Sequence, residues 1–208
     1  MRKILLLIAC VLGISVSAQT LQMRDVFAAM PDILMPLVTK NNRLDCIDFI
    51  ENNMEAKVRN RADEFVELKT LTKDYLLFET SQMSQVEMKL LVLDDTTQVV
   101  CVARTYKAPT ADSHVEFYTA QWGQVDESLV GRLNVSRPEV EDFFAAADKA
   151  DEAVRSAVLM LHDLPLMEAC LSADAPTLTW TIGLGELPKD EKKAAQKIVQ
   201  PITQSLLR

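Results

Sequence analysis

The chain has 208 residues, about half of them apolar, with five glycines, eight prolines and a formal charge of −8 at pH 7. That length suits one domain whose core needs no staples. Its 22 lysines and arginines against 30 acidic residues are too few and too scattered for counterion release, which argues against a nucleic-acid partner.

The first eighteen residues read as a secretory signal. Arg2 and Lys3 form a positive head, and Ile4 to Val16 is an apolar run too short to span a bilayer. Val16-Ser17-Ala18 supplies the residues a signal peptidase accepts. Cleavage after Ala18 removes Arg2 and Lys3, so the formal charge moves from −8 to −10 and residues 19–208 form the mature domain. No longer apolar span follows, so no transmembrane helix is expected there. Leu7-Ile8-Ala9-Cys10 has the look of a lipobox. Cleavage at that point would leave only Ile4 to Ala9 as apolar region, shorter than the roughly 7–15 residues needed. The mature chain keeps Cys46, Cys101 and Cys170, an odd count with no C-x-x-C spacing. Cys101 and Cys170 fall in apolar strand-like runs, where burial as small hydrophobes is the first expectation and a Cys101–Cys170 bridge the second.

Residues 20–39 read as helix broken by Pro31 and Pro36, with Met23 to Met30 as two turns. Residues 43–56 form a better helix, capped by Asn42, with Leu44, Ile47, Ile50 and Met54 as its apolar stripe. From residue 64 the period changes to 2. Phe65–Leu71, Tyr75–Thr80, Val86–Leu93, Val99–Tyr106 and Val115–Gln121 are predicted strands. Their short polar connections leave no room for crossover helices, so they form an antiparallel meander. The runs Leu90–Leu93 and Val99–Ala103 are apolar on both faces and belong in the centre, covered on each side. Ser136 and Glu139 fit a capping box that opens a helix from Pro138 to about Met160, with Phe143 and Phe144 on its apolar side. Two more strands follow. Leu164–Leu171 pairs with a run in which Leu178, Trp180, Ile182 and Leu184 alternate with smaller residues. A last helix starts near Pro188, with Ala195, Ile198, Val199, Ile202 and Leu206 on one face and Pro201 as its kink or end. The fold class is α+β: a twisted antiparallel β-meander sheet with N- and C-terminal helices packed on one face.

Phe27-Ala28-Ala29-Met30-Pro31-Asp32, Asn42-Arg43-Leu44-Asp45-Cys46-Ile47-Asp48-Phe49 and Leu71-Thr72-Lys73-Asp74-Tyr75-Leu76, with Thr105-Tyr106 and Phe117-Tyr118 through Trp122, resemble a family of exported Bacteroidales proteins known only as a domain of unknown function. The resemblance covers most of the mature chain. It implies a Gram-negative envelope address and brings no activity, cofactor or catalytic residue.

Catalytic chemistry finds little footing. A Ser113/His114/Asp112 triad fails because neighbours on a strand point to opposite faces. His162 sits at a predicted helix end, where a histidine is a favourable C-terminal charge. No metal-ligand spacing occurs, and Asp94-Asp95 reads as a turn. Glu139, Glu141 and Asp142 suit a helix's first turn better than a glycosidase pair. Gly183-x-Gly185 follows a strand but lacks the rest of a phosphate loop. Met83, Met88, Met160 and Met167 read as gap-fillers. The one suggestive group is aromatic: Tyr106, Phe117, Tyr118, Trp122 and Trp180 form a ligand-binding groove if they share an open sheet face, and core if they do not.

The sequence therefore favours an exported, non-enzymatic envelope protein without cofactor or metal, binding an apolar ligand (lipid or peptide) or a protein partner. Its expected place is the periplasm, with outer-membrane association or secretion as alternatives. A rival reading is a small periplasmic hydrolase assembled from Asp74, Tyr75, His114 and an Asp or Glu, which requires those side chains to converge.

Overall fold

The computed structural model describes residues 20–134, 136–144, 152, 156, 165–185 and 187–208. The signal-like segment, His162 and most of the helix expected between Pro138 and Met160 lie outside the described residues.

Helix α1 spans Met23–Ala29, a 3-10 turn spans Asp32–Leu34, and helix α2 spans Lys40–Glu51. A six-stranded antiparallel meander follows: β1 Lys57–Arg59, β2 Phe65–Leu71, β3 Tyr75–Ser81, β4 Ser84–Val92, β5 Gln98–Tyr106 and β6 Asp112–Thr119, in sequence order across the sheet. A second antiparallel sheet holds β7 Met167–Leu171, β8 Thr177–Ile182 and β9 Ile202–Ser205. Helix Lys189–Ala195 connects β8 to β9. The fold class is thus α+β, with the meander and the five predicted strands in place.

The meander carries a hydrophobic core on each face. Val66, Leu68, Leu76, Phe78, Met88, Val100 and Val102 meet Met23, Val26, Phe27 and Ile47 of the N-terminal helices. Leu91, Val99, Cys101 and Ala103 on the other face meet Met167, Ala169, Leu178 and Trp180 of the second sheet, together with Ala195. The terminal helices therefore lie on opposite faces rather than on one. The reason is that β4 and β5 are apolar on both sides, and a strand of that kind needs a cover on each.

Local chemistry accounts for the other differences. Helix α2 begins at Lys40, because Thr39 Oγ1 accepts the Asn42 N–H at 3.1 Å while Asn42 Oδ1 accepts the Thr39 N–H at 3.0 Å. Asn42 is thus half of a reciprocal cap and not the cap itself. On that helix Leu44 is exposed while Arg43, Cys46 and Ile47 are buried, and Met54 lies exposed beyond its end at Glu51. The expected final helix stops at Ala195. Pro201 has no N–H to continue it, and Ile202–Ser205 pairs with Thr177–Trp180 as β9 instead. The predicted Ser136 cap is displaced to Glu139, whose N–H donates to Asp142 Oδ2 at 2.9 Å, opening a 3-10 turn at Val140–Phe143. Cys46, Cys101 and Cys170 are free, and Cys170 is exposed because it occupies the outward position of β7.

Arg43 is the largest of the fully buried side chains, with no exposed surface. Its Nε donates to Phe27 O at 3.2 Å, and Nη1 donates to Val38 O at 2.8 Å and Asp32 Oδ1 at 3.0 Å. Nη2 donates to Met30 O. One guanidinium thereby bonds three carbonyls between residues 27 and 38, a stretch in which two prolines stop any continuous helix. Arg43→Met should cost about 3–5 kcal/mol in urea unfolding, since it removes the side-chain donor from Met30 O and Val38 O and leaves Asp32 with Arg61 alone, 3.6 Å away. Arg43→Lys should recover little of it, because an ammonium cannot reach four acceptors in a plane. A loss under about 1 kcal/mol for Arg43→Met would show that the segment holds itself.

Candidate functional site

The residues of the hydrolase reading divide between the two faces of the meander. Tyr75 pairs with Lys89, Lys89 with Cys101, and Cys101 with Phe117, so these four share one face. His114 pairs with Arg104, which pairs with Val86 and through it with Phe78, a row on the opposite face. His114 also stands in solvent, its side chain 72% exposed, 3.7 Å from Glu116. Asp74, Tyr75 and His114 do not converge.

Asp74 and Tyr75 have a structural employment in a polar seam between the two sheets. Tyr75 Oη donates to Glu87 Oε1 at 2.7 Å, and Lys89 Nζ lies 2.9 Å from Asp74 Oδ2 and donates to Ala173 O at 2.8 Å. The outward N–H groups of β7 are taken up one by one. Met167 donates to Asp112 Oδ1 (3.1 Å), Ala169 to Ser113 Oγ (2.9 Å) and Leu171 to Glu87 Oε2 (3.1 Å). Three side chains of the meander thus satisfy the free edge of the second sheet, which an unpaired strand would otherwise expose. Ser113 is buried in this role, with Thr105 Oγ1 at 2.8 Å, and is no nucleophile beside His114.

Burial pushes the Glu87 carboxyl above its ordinary range, and the bonds from Tyr75 and Leu171 N–H offset this only in part. The sign follows. The folded chain holds this proton more tightly than the unfolded one, so Glu87's contribution to stability is greatest below the ordinary carboxylate range and falls as pH rises through its raised pKa. Glu87→Gln keeps an acceptor for Leu171 and removes the titration. The stability of Glu87→Gln relative to the wild type should therefore rise as pH climbs from the ordinary carboxylate range through the raised one in urea unfolding. A difference that does not change with pH would contradict this. Glu87→Ala should lose about 1–3 kcal/mol for each of the two donors it orphans.

The cysteines sit beside the seam without activation. Burial raises the Cys101 thiol, and at the outward-facing Cys170 the partial desolvation of the sulfur by its neighbours, with Glu87 and Glu168 adding to it, pushes the thiol up to about 11. A reactive thiol needs the opposite shift. Asp94 accepts from the Thr96 N–H at 3.0 Å and pairs with Arg132 at 2.8 Å, which holds its carboxyl well below the usual range in the turn expected of it. Among the described residues no three His, Cys, Asp or Glu side chains are grouped to hold a metal ion. The Gly183-x-Gly185 pair has a steric purpose: a β-carbon on either glycine would collide with Thr110, so the 107–111 loop packs directly onto that backbone.

The five aromatic residues occupy three places. Tyr118 and Trp122 stack at 5.5 Å between ring centroids on the N-terminal side, where Trp122 Nε1 donates to Val26 O at 2.8 Å. Trp122 adopts φ +66°, which turns the chain at the end of β6 so that the indole reaches α1. Phe117 and the buried Trp180 belong to the core on the other face, with the Arg137 guanidinium 5.6 Å from the Trp180 ring centre. Tyr106 is 63% exposed at the end of β5. No single groove contains them.

Tyr106 does line a cleft of about 390 Å³. One wall is the segment Leu34–Val38. Its floor is built from the ends of three strands, with Thr80 and Ser81 from β3, Ser84 and Val86 from β4, and Arg104 and Tyr106 from β5. The wall is held from beneath by buried Met35 and Val38, and Arg61 N–H donates to Leu37 O at 2.9 Å. Leu37, between those anchors, is left 51% exposed. On the floor Ser84 Oγ lies 2.7 Å from both Thr80 Oγ1 and Ser81 Oγ. Arg104 Nε donates to Glu116 Oε2 at 3.3 Å with its side chain 19% exposed. A second hollow of about 500 Å³ shares Glu64 and Ser81 and is bordered by exposed Phe65 and Met83. Four of the nine exposed large apolar side chains among the described residues line these two hollows, and Ile33 adjoins them. Sequence reasoning found only Tyr106 among them. The available signal was Leu37 itself, an apolar residue directly after Pro36 in a segment that cannot be helical.

The chain belongs to the family described as "Protein of unknown function (DUF3256)", whose model matches residues 14–205. It is similar to a solved structure described as a domain of an uncharacterized protein from Porphyromonas gingivalis W83. The two share 24% identity and a TM-score of 0.69 over 86% of this chain and 91% of that one, a likeness of fold. Porphyromonas is a Bacteroidales genus, so both findings agree with the resemblance noted in the sequence. No curated protein matches the chain.

Proposed function

We propose that this member of the DUF3256 family is an exported envelope protein that binds rather than transforms, and that the cleft between Leu34–Val38 and the ends of β3, β4 and β5 holds an apolar ligand. The observation that carries this reading is the gathering of exposed apolar side chains at two neighbouring hollows, with Leu37 and Tyr106 at the one between the segment and the strand ends. About 390 Å³ falls within the range of roughly 300–1,000 Å³ typical of small-molecule sites. Leu37 and Tyr106 stand in water at its mouth, at the cost of about 25 cal/mol for each Å² of apolar surface they expose, a cost that a bound ligand removes. The export part rests on Arg2-Lys3, the apolar run after them and the Val16-Ser17-Ala18 site.

Two measurements test the two parts. Edman sequencing or intact mass of the chain recovered from a periplasmic extract should give a start at Gln19. A chain that stays cytoplasmic and begins at Met1 would remove the envelope reading. For the cleft, titration with the neutral fluorophore N-phenylnaphthylamine should give saturable binding that Leu37→Asp weakens by about tenfold or more. The same change at an exposed position should leave unfolding within about 0.5 kcal/mol of the wild type. Probe binding that is absent, or indifferent to Leu37→Asp, would overturn the assignment.

A further inference from the structure

The cleft is not uniformly apolar, and the position of its one cation says what kind of ligand fits. Arg104 lies on the floor, its side chain 19% exposed, flanked by Val86 and Tyr106. Nε is committed to Glu116, and the Tyr118 hydroxyl is a second neighbour. A guanidinium has five N–H donors and can serve two carboxylates at once. Glu64, the acid that lines the same cleft, is exposed and so is screened by solvent, whereas Arg104 acts through a drier medium. The wall opposite carries no charge between Leu34 and Val38.

Resting on the cleft reading above, we infer that the ligand is a single-chain amphipathic carboxylate, a free fatty acid, with its acyl chain along Leu34–Val38 and its carboxylate on Arg104. The hydroxyls of Thr80, Ser81 and Ser84 offer further donors beside the head group.

Calorimetric titration of the mature protein with monomeric dodecanoate, dodecanol and dodecyltrimethylammonium tests the assignment. Dodecanoate should bind about tenfold or more tightly than the alcohol, and the cation weakest, because only the carboxylate gains a charge-assisted bond from Arg104. Arg104→Gln should abolish the preference of carboxylate over alcohol while leaving dodecanol affinity unchanged. Glu116→Gln, which keeps the guanidinium and releases it from its partner, should hold or strengthen dodecanoate binding. Equal affinity for acid and alcohol, or a preference that survives Arg104→Gln, would overturn the head-group assignment. If N-phenylnaphthylamine still binds in a Leu37-dependent way when dodecanoate does not, the fatty-acid inference falls and the cleft stands; if neither binds, both fall. Sedimentation with anionic phospholipid vesicles without binding of the monomer would place the protein on a membrane surface instead and contradict the inference.

Discussion

The Arg43 guanidinium is the interaction on which the wall of the proposed cleft depends. Pro31 and Pro36 prevent the 30–38 segment from closing into a helix, and its carbonyls would otherwise be buried without donors. One planar cation, fully buried, gathers Phe27 O, Met30 O and Val38 O and anchors Asp32 at the surface. Burying a charge is costly unless its donors find partners, and Arg43 places four hydrogen bonds on this segment, one of them to a carboxylate. The outcome is a wall with fixed shape. Met35 and Val38 turn inward as anchors, while Leu37 has nowhere to go but outward.

A second constraint organises the rest. The two central strands are covered on both faces, so two shells must find their register on one sheet. Apolar contact does not specify register by itself. On the N-terminal side Arg43 and the Trp122–Val26 bond supply it. On the other side Glu87, Asp112 and Ser113 each receive one N–H of β7, and Lys89 reaches Ala173. These polar groups are stationed where the shells must not slide, and Gly183 and Gly185 let the Thr110 loop close over the same junction.

The pattern of strands was legible because period-2 alternation and short polar breaks are local properties. Phe65–Leu71 has the bounds expected of it, and the neighbouring strands differ by a few residues at their ends. What escaped was the use of charged residues indoors. Glu87 and Lys89 alternate with Val86 and Met88, a pattern that reads as one wet face, yet the second sheet covers them. Arg43 likewise displaces the expected stripe on α2, leaving Leu44 in solvent. Both facts depend on partners far along the chain, which spacing cannot reveal. The strand at Ile202–Ser205 was hidden for a related reason. Its apolar residues also fit a helical face, and only Pro201 and the pairing with β8 decide between the two. Of the aromatic set, four residues fill cores and Tyr106 alone reaches the cleft. Composition marked them as able to bind, but which sheet face each occupied was a matter of register.

The account therefore makes the cleft a consequence of two buried devices, the Arg43 hub behind its wall and the doubly covered strands beneath its floor. Strand ends that project beyond both shells are free to meet a ligand, and Ser84, Arg104 and Tyr106 lie at such ends. The most direct test is a backbone amide NMR titration with dodecanoate, mapped onto the chain. The account predicts shifts confined to residues 34–38, 80–86 and 104–106, with the β7–β8 sheet unmoved. Shifts centred on the Tyr75–Glu87 seam or on the β7–β8 sheet, with residues 34–38 silent, would contradict it.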